Sequence, residues 1–192
     1  MCGRYYYGKK WGSAAKKDLG IEIPDYAVGD VTPGMSPIVI SADEAGIKAQ
    51  NMHWGMDSEK YGLIINAKAE SLFEKPMFSK SIELRRLIIP CEKFYEWDRA
   101  ERRITFSIDS EDVMYLAGLY DIAKNEISFA IITTSANESM APFHDRMPLI
   151  IKRENVKDWL CDSTSTKDFL AQPMPKLTAM KENQQISLFD NI

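Results

Sequence analysis

The alternation of apolar and polar residues predicts strands along most of the chain and helices in few places. "SAAKKDLG" predicts a short helix capped by Ser13 and ended at Gly20, which is free to turn left-handed. "VTPGMSPIVI" predicts a turn entering a strand. "YGLIINAKAESLFEKPMF" predicts an apolar strand passing into a polar stretch that starts helically, which leaves Asn66 at a strand end. "RRLIIPCEKFYEWDRAERRITFSID" holds two apolar or aromatic runs about a charged connector. "DVMYLAGLYDI" followed by "EISFAIITTSAN" repeats that arrangement, as antiparallel strands do. Only "ENVKDWLCDSTSTKDFLAQ" returns to helical spacing, with Val156, Trp159 and Leu160 on one face. These elements predict an α+β domain over residues 1–175, mainly antiparallel sheet in a barrel-like core with flanking helices. Beyond Pro173 the core periodicity fades, and residues 176–192 are expected to form a flexible tail.

Charge and cysteine content narrow the function classes. The formal net charge of -4 over 192 residues excludes the broad basic footprint of a protein that clings to any nucleic acid, and leaves room only for a local basic groove. Three cysteines without framework spacing, and an N-terminal "MCGRYYYGKKWG" without the apolar stretch of a secretion signal, predict a reduced, cytoplasmic protein. No apolar run approaches the roughly 18 residues needed to span a bilayer. His53 and His144 are the only histidines, and no Cys or His pair has ligand spacing, so neither metal nor cofactor is expected. Cys91 and Cys161 are assigned to packing.

Cys2 is different, because a thiol next to a fraying chain end contributes little to packing. With Met1 removed, Cys2 carries an α-amine and a thiol on neighbouring carbons, both nucleophilic not far from neutral pH. In "KFYEWD", alternation places Phe94 and Glu96 on one sheet face and Tyr95 and Trp97 on the other, so an acid stands among aromatics. Such an acid, desolvated, holds a proton for general acid chemistry; paired to Arg86 or Arg99, or exposed, it is an ordinary strand residue. His144 lies in the irregular segment "NESMAPFHDRMP", where an imidazole exchanges protons or simply bonds a neighbouring carbonyl. Asn66 read alone is a turn residue. Most basic residues read as solvated charge, "DRAERR" as a hairpin tip. A groove of Arg4, Lys68, Arg86 and Arg146 with Trp54 as stacking platform would suit single-stranded nucleic acid, and Trp54 in the core is the alternative.

"MCGRY", "HWGM", "INAKAES", "RRLIIPCEKFYEW" and "IITTSANESMAPFHDRMPLII" occur in an order and spacing that resembles the SOS response-associated peptidase (SRAP) family, from residue 1 to about residue 160. The resemblance implies covalent capture of abasic sites in single-stranded DNA, with self-removal of Met1 and an associated lyase activity. It makes Cys2 the nucleophile and matches Asn66, Glu96 and His144 to the family's active-site Asn, Glu and His. It also suggests that Arg4, Trp54, Arg86, Thr133 and Arg146 line a DNA groove. Lys68 stands where the family often carries Arg, which turns a forked phosphate contact into a point charge. The stretch between "WG" and Asn66 is shorter than is common in the family. The chain is expected to act as a monomer in the cytoplasm, at the nucleoid. Two other readings stay open: a thiol peptidase with Cys2 and His144 as a dyad, and a non-covalent reader of modified DNA. Gln185, Ile186, Ser187, Leu188 and Phe189 resemble the short peptide that holds the bacterial β sliding clamp, and two large apolar side chains on a tail suit a hydrophobic pocket.

Overall fold

A computed structural model describes residues 2–98, 100–123 and 126–181. Its strands are β1 (Tyr5–Tyr7), β2 (Gly29–Val31), β3 (Ile38–Asp43), β4 (Gly46–Asn51), β5 (His53–Trp54), β6 (Met56–Ser58), β7 (Gly62–Ile64) and β8 (Asn66–Lys68). They continue as β9 (Arg86–Cys91), β10 (Lys93–Trp97), β11 (Arg103–Ser107), β12 (Met114–Ala123), β13 (Glu126–Ser135), β14 (Arg146–Pro148), β15 (Ile150–Ile151) and β16 (Thr178–Lys181). Four α-helices are interspersed among the described residues: α1 (Lys10–Leu19), α2 (Pro76–Leu84), α3 (Val156–Cys161) and α4 (Thr166–Ala171).

Two sheets carry the architecture, so the α+β class holds. The first runs β16-β11-β10-β1-β2, antiparallel throughout. The second runs β14-β13-β12-β9-β3-β4, with β5 and β8 pairing parallel to β13. β9, "RLIIPC", is buried at every position, the signature of a strand covered on both faces. Both sheets stay open among the described residues, so the barrel-like expectation is corrected: the hydrogen-bonded paths end at β16 and β2, and at β14 and β4. The parallel pairs are likewise additions to an expected antiparallel arrangement. They arise because β13 has two edges: Glu126–Ile131 pairs with β12 on one, and Ser128–Thr133 takes β5 and β8 on the other.

Local chemistry explains the helix ends. Gly20 closes α1 at φ 71°, its N–H donating to the Lys16 carbonyl, as the sequence predicts. Ser13 is no cap: α1 begins three residues earlier, where the Lys10 N–H donates to a Glu92 carboxylate oxygen at 2.9 Å, and the Ser13 hydroxyl donates back to the Lys10 carbonyl. The expected helical stretch near residue 160 is broken into α3 and α4. Between them Asp162 accepts from the Thr164 N–H at 2.9 Å and from the Thr164 and Ser165 hydroxyls at 2.6 Å, a local network that competes with helix continuation.

The folded domain also extends past residue 175. Thr178–Lys181 pairs antiparallel with Arg103–Ser107 and completes the first sheet. The clamp-peptide resemblance at Gln185–Phe189 lies outside the described residues.

Candidate active site

Cys2 sits where the two sheets meet. The Tyr95 N–H donates to the Arg4 carbonyl at 3.0 Å, carrying the β1–β10 ladder past its Tyr5–Phe94 pair toward the chain start. From the second sheet, the Asn66 amide donates to the Cys2 carbonyl at 3.1 Å. Asn66 opens β8, and the carbonyl just before it, Ile65, accepts from the Ile131 N–H and from the Trp54 indole N–H, each at 3.0 Å. Trp54 is fully buried, 5.1 Å from the Tyr5 ring and stacked on Phe129 at 6.2 Å. It thus ties β1 to the strand start that aims Asn66, and is a positioning residue.

Alternation along β10 turns Phe94 and Glu96 inward, as the sequence predicts, and leaves Glu96 4 % exposed. Cys2 is 1 % exposed. Burial first, and the Glu96 carboxylate second, push the Cys2 thiol well above the ordinary thiol range. The site therefore holds a protonated thiol, which points at the Arg4 carbonyl at 3.9 Å and feels the charge of Glu96.

His144 belongs to the loop after β13. Asn137 shapes that loop: its carbonyl oxygen accepts from the Ser139 and Met140 N–H groups and its amide donates to the Pro175 carbonyl at 2.8 Å. The Arg146 N–H lies 2.9 Å from His144 Nδ1, and an Asp145 carboxylate oxygen lies 2.9 Å from the same nitrogen. His144 borders an open depression with Asp98, Arg102 and Lys181, at the end of the strand that carries Glu96. Direct contacts and electrostatics join Cys2, Asn66 and Glu96.

The residues suggested for a DNA groove divide. Arg4 is half-buried with its guanidinium 5.6 Å from the Trp97 ring centroid, and Lys68 is exposed at the end of β8. Arg146 forks onto the Glu70 carboxylate at 2.6 and 2.9 Å and onto the Thr133 carbonyl at 2.5 Å. The Arg146 hydrogen bonds hold the Glu70 carboxyl below its usual range, so this pair persists at neutral pH and is lost as pH falls through that lowered value.

Three expectations are corrected by burial. Trp54 has no ring face left for a base. Thr133 is fully buried and serves through its carbonyl, as an anchor for Arg146. Arg86 is 5 % exposed and donates to the carbonyls of Ile82, Glu83 and Trp159, which satisfies helix ends rather than phosphate. Cys161 is exposed and does not pack in the core, whereas Cys91 does. Trp97 is the exposed aromatic that the groove assignment passed over, at 38 %. The period of "KFYEW" held the signal, since it sends Trp97 to the face opposite Glu96.

A carboxylate, an amide and a thiol are brought together near the chain start, at the seam between an antiparallel and a mixed sheet. The chain belongs to the SOS response associated peptidase (SRAP) family, whose profile matches residues 1–187. It is similar to "Abasic site processing protein YoqW" of Bacillus subtilis, 35 % identical over 88 % of this chain and 84 % of that protein. It is also similar to "Abasic site processing protein YedK" of Escherichia coli, 22 % identical over 88 % of this chain and 83 % of that one. A crystal structure of a Bordetella bronchiseptica protein shares the fold, with a TM-score of 0.81 at 22 % identity, covering 95 % of this chain and all of the other.

Proposed function

We propose that this protein captures abasic sites in single-stranded DNA as a covalent adduct on Cys2, after removing its own Met1. The observation that carries the reading is the buried Cys2, its carbonyl held by the Asn66 amide and its thiol within the electrostatic reach of Glu96. An abasic sugar opens to an aldehyde. The Cys2 α-amine adds to it and expels water, giving an imine. The thiol then adds to the imine carbon, its proton moving by way of Glu96 to the nitrogen, and a five-membered thiazolidine closes. Ring closure within one residue carries a large proximity advantage. Asn66 orients the Cys2 backbone; Glu96 moves protons at the amine, imine and thiol; His144 serves the sugar hydroxyl during opening; lyase activity branches from the imine, where loss of a C2′ proton expels the 3′-phosphate and hydrolysis then frees Cys2.

The test is intact mass and a denaturing gel after incubation with abasic single-stranded DNA. The adduct should weigh as the protein without Met1 plus the oligonucleotide less one water. Cys2→Ala should leave no stable band, and a band of undiminished strength would overturn the assignment.

Arg146 reaches DNA only in competition with Glu70. Glu70→Gln is therefore expected to tighten single-strand binding about two- to fivefold and to steepen its salt dependence by about 0.7 in log-log slope. Anisotropy titrations across a salt series check both, and weaker binding would contradict the competition. The clamp contact through Gln185–Phe189 is also proposed, tested by pull-down with chain truncated at Asn183.

A further inference from the structure

The outer face of the first sheet carries a second array of cations and rings. Inward-facing Tyr5, Phe94, Ile104 and Phe106 are fully buried in the core. The alternate positions turn Tyr6, Lys93, Tyr95, Trp97 and Arg103 to the other side, with Tyr95 itself buried beneath its cationic neighbours. Lys93 Nζ lies 4.6 Å from the Tyr6 ring centroid and 5.9 Å from that of Tyr95. The Arg103 guanidinium lies 4.7 Å from Tyr95, and Arg4 covers Trp97. Asp30 organises the group: it lies 3.6 Å from Arg4 and 3.7 Å from Arg103, and accepts from the Tyr95 hydroxyl at 3.1 Å.

We propose that this sheet face is a secondary track for single-stranded nucleic acid, carrying the strand that continues from the lesion pocket. The proposal rests on the DNA reading of the Cys2 site and extends it to the flanking nucleotides. Charge complementarity supports it: Arg4, Lys93 and Arg103 stand together in a chain whose net charge is -4. Their chemistry favours nucleic acid over a simple anion, because cations laid on rings have already lost side-chain freedom, and a stacked guanidinium offers its other face to a base. Continuity supports it too. Arg4 and Trp97 are backbone neighbours of the residues around Cys2 and Glu96, so the track begins at the edge of the pocket. Lys93 and Arg103 play no part in the capture chemistry.

The experiment compares wild type with the Lys93→Gln/Arg103→Gln double variant, which keeps the aliphatic cover over the rings. Binding of unmodified single strands of about 6 and about 20 nucleotides is followed by anisotropy across a salt series. The longer strand should bind the double variant about tenfold more weakly, with a salt slope lower by about 1.4, two cations at about 0.7 each. The short strand should bind both proteins alike. Equal affinity of both proteins for the long strand, or equal loss on both lengths, would overturn the track; so would displacement of the long strand by polyglutamate as effective as by unlabelled DNA. Crosslinking of a short abasic strand, measured in parallel, reports on the pocket separately. Its failure in wild type would sink the capture reading while leaving the length effect to stand or fall alone.

Discussion

Glu96→Gln is expected to slow adduct formation about 100-fold while changing affinity for abasic single-stranded DNA by less than about twofold. Glutamine matches the carboxylate in shape and still offers a hydrogen-bond acceptor, so neither the packing of β10 nor the approach of DNA should change. It has no site that takes a proton from the thiol or returns one to the departing water. The neighbouring charge also disappears, which removes one of the two causes that raise the Cys2 thiol. A charge effect alone would then ease thiol ionisation and hasten closure. The sign of the rate change therefore separates proton transfer from electrostatics: a slower reaction assigns Glu96 to moving protons, and a faster one assigns it to holding the thiol neutral. Rates of the denaturation-resistant band at saturating DNA, set beside anisotropy titrations, check the prediction. Equal loss of rate and affinity would refute it.

The pieces of this site that the sequence made legible are those set by short-range rules. A two-residue period in "KFYEW" is enough to send Glu96 inward and Trp97 outward, and the burial of each follows it. Gly20 ends its helix for a reason confined to its own backbone. Cys2 stood out by position alone. What stayed hidden depends on partners far along the chain. Nothing in "HWGM" tells that Trp54 will meet the Ile65 carbonyl along the edge of β13, since alternation fixes a face and leaves the neighbour undetermined. Thr133 reads as surface until β8 and β14 are found on the strand that carries it. β16 escaped notice because four residues with mixed polarity form a strand only when the edge of β11 is already there.

The Glu70–Arg146 pair shows the same limit from the charge side. Both residues look solvated in sequence, 76 positions apart. Together with the Thr133 carbonyl they give a guanidinium fixed in direction, which a phosphate would meet already oriented. Preorganisation of this kind lowers the side-chain entropy lost on binding, at the cost of an anion that must first be displaced.

Arg86 provides the strongest test of a structural against a binding role. Its guanidinium donates to Trp159 at 2.6 Å and to Ile82 and Glu83 at 3.0 and 2.6 Å, joining the carbonyl end of α2 to α3 across β9. Arg86→Ala would leave those carbonyls buried with one donor fewer each and open a void beside the Trp159 ring, 5.8 Å from the guanidinium. The expected loss is about 2–3 kcal/mol, which for a chain of this size lowers Tm by about 5–10 °C. Arg86→Lys should recover only part of it, because one ammonium cannot reach carbonyls on both helices in the manner of a planar fork. The protein that remains folded should bind single-stranded DNA as wild type does, since no face of Arg86 is open to a phosphate. Thermal melts and DNA titrations on the same preparations decide between the roles: unchanged melting with lost DNA binding would return Arg86 to the groove.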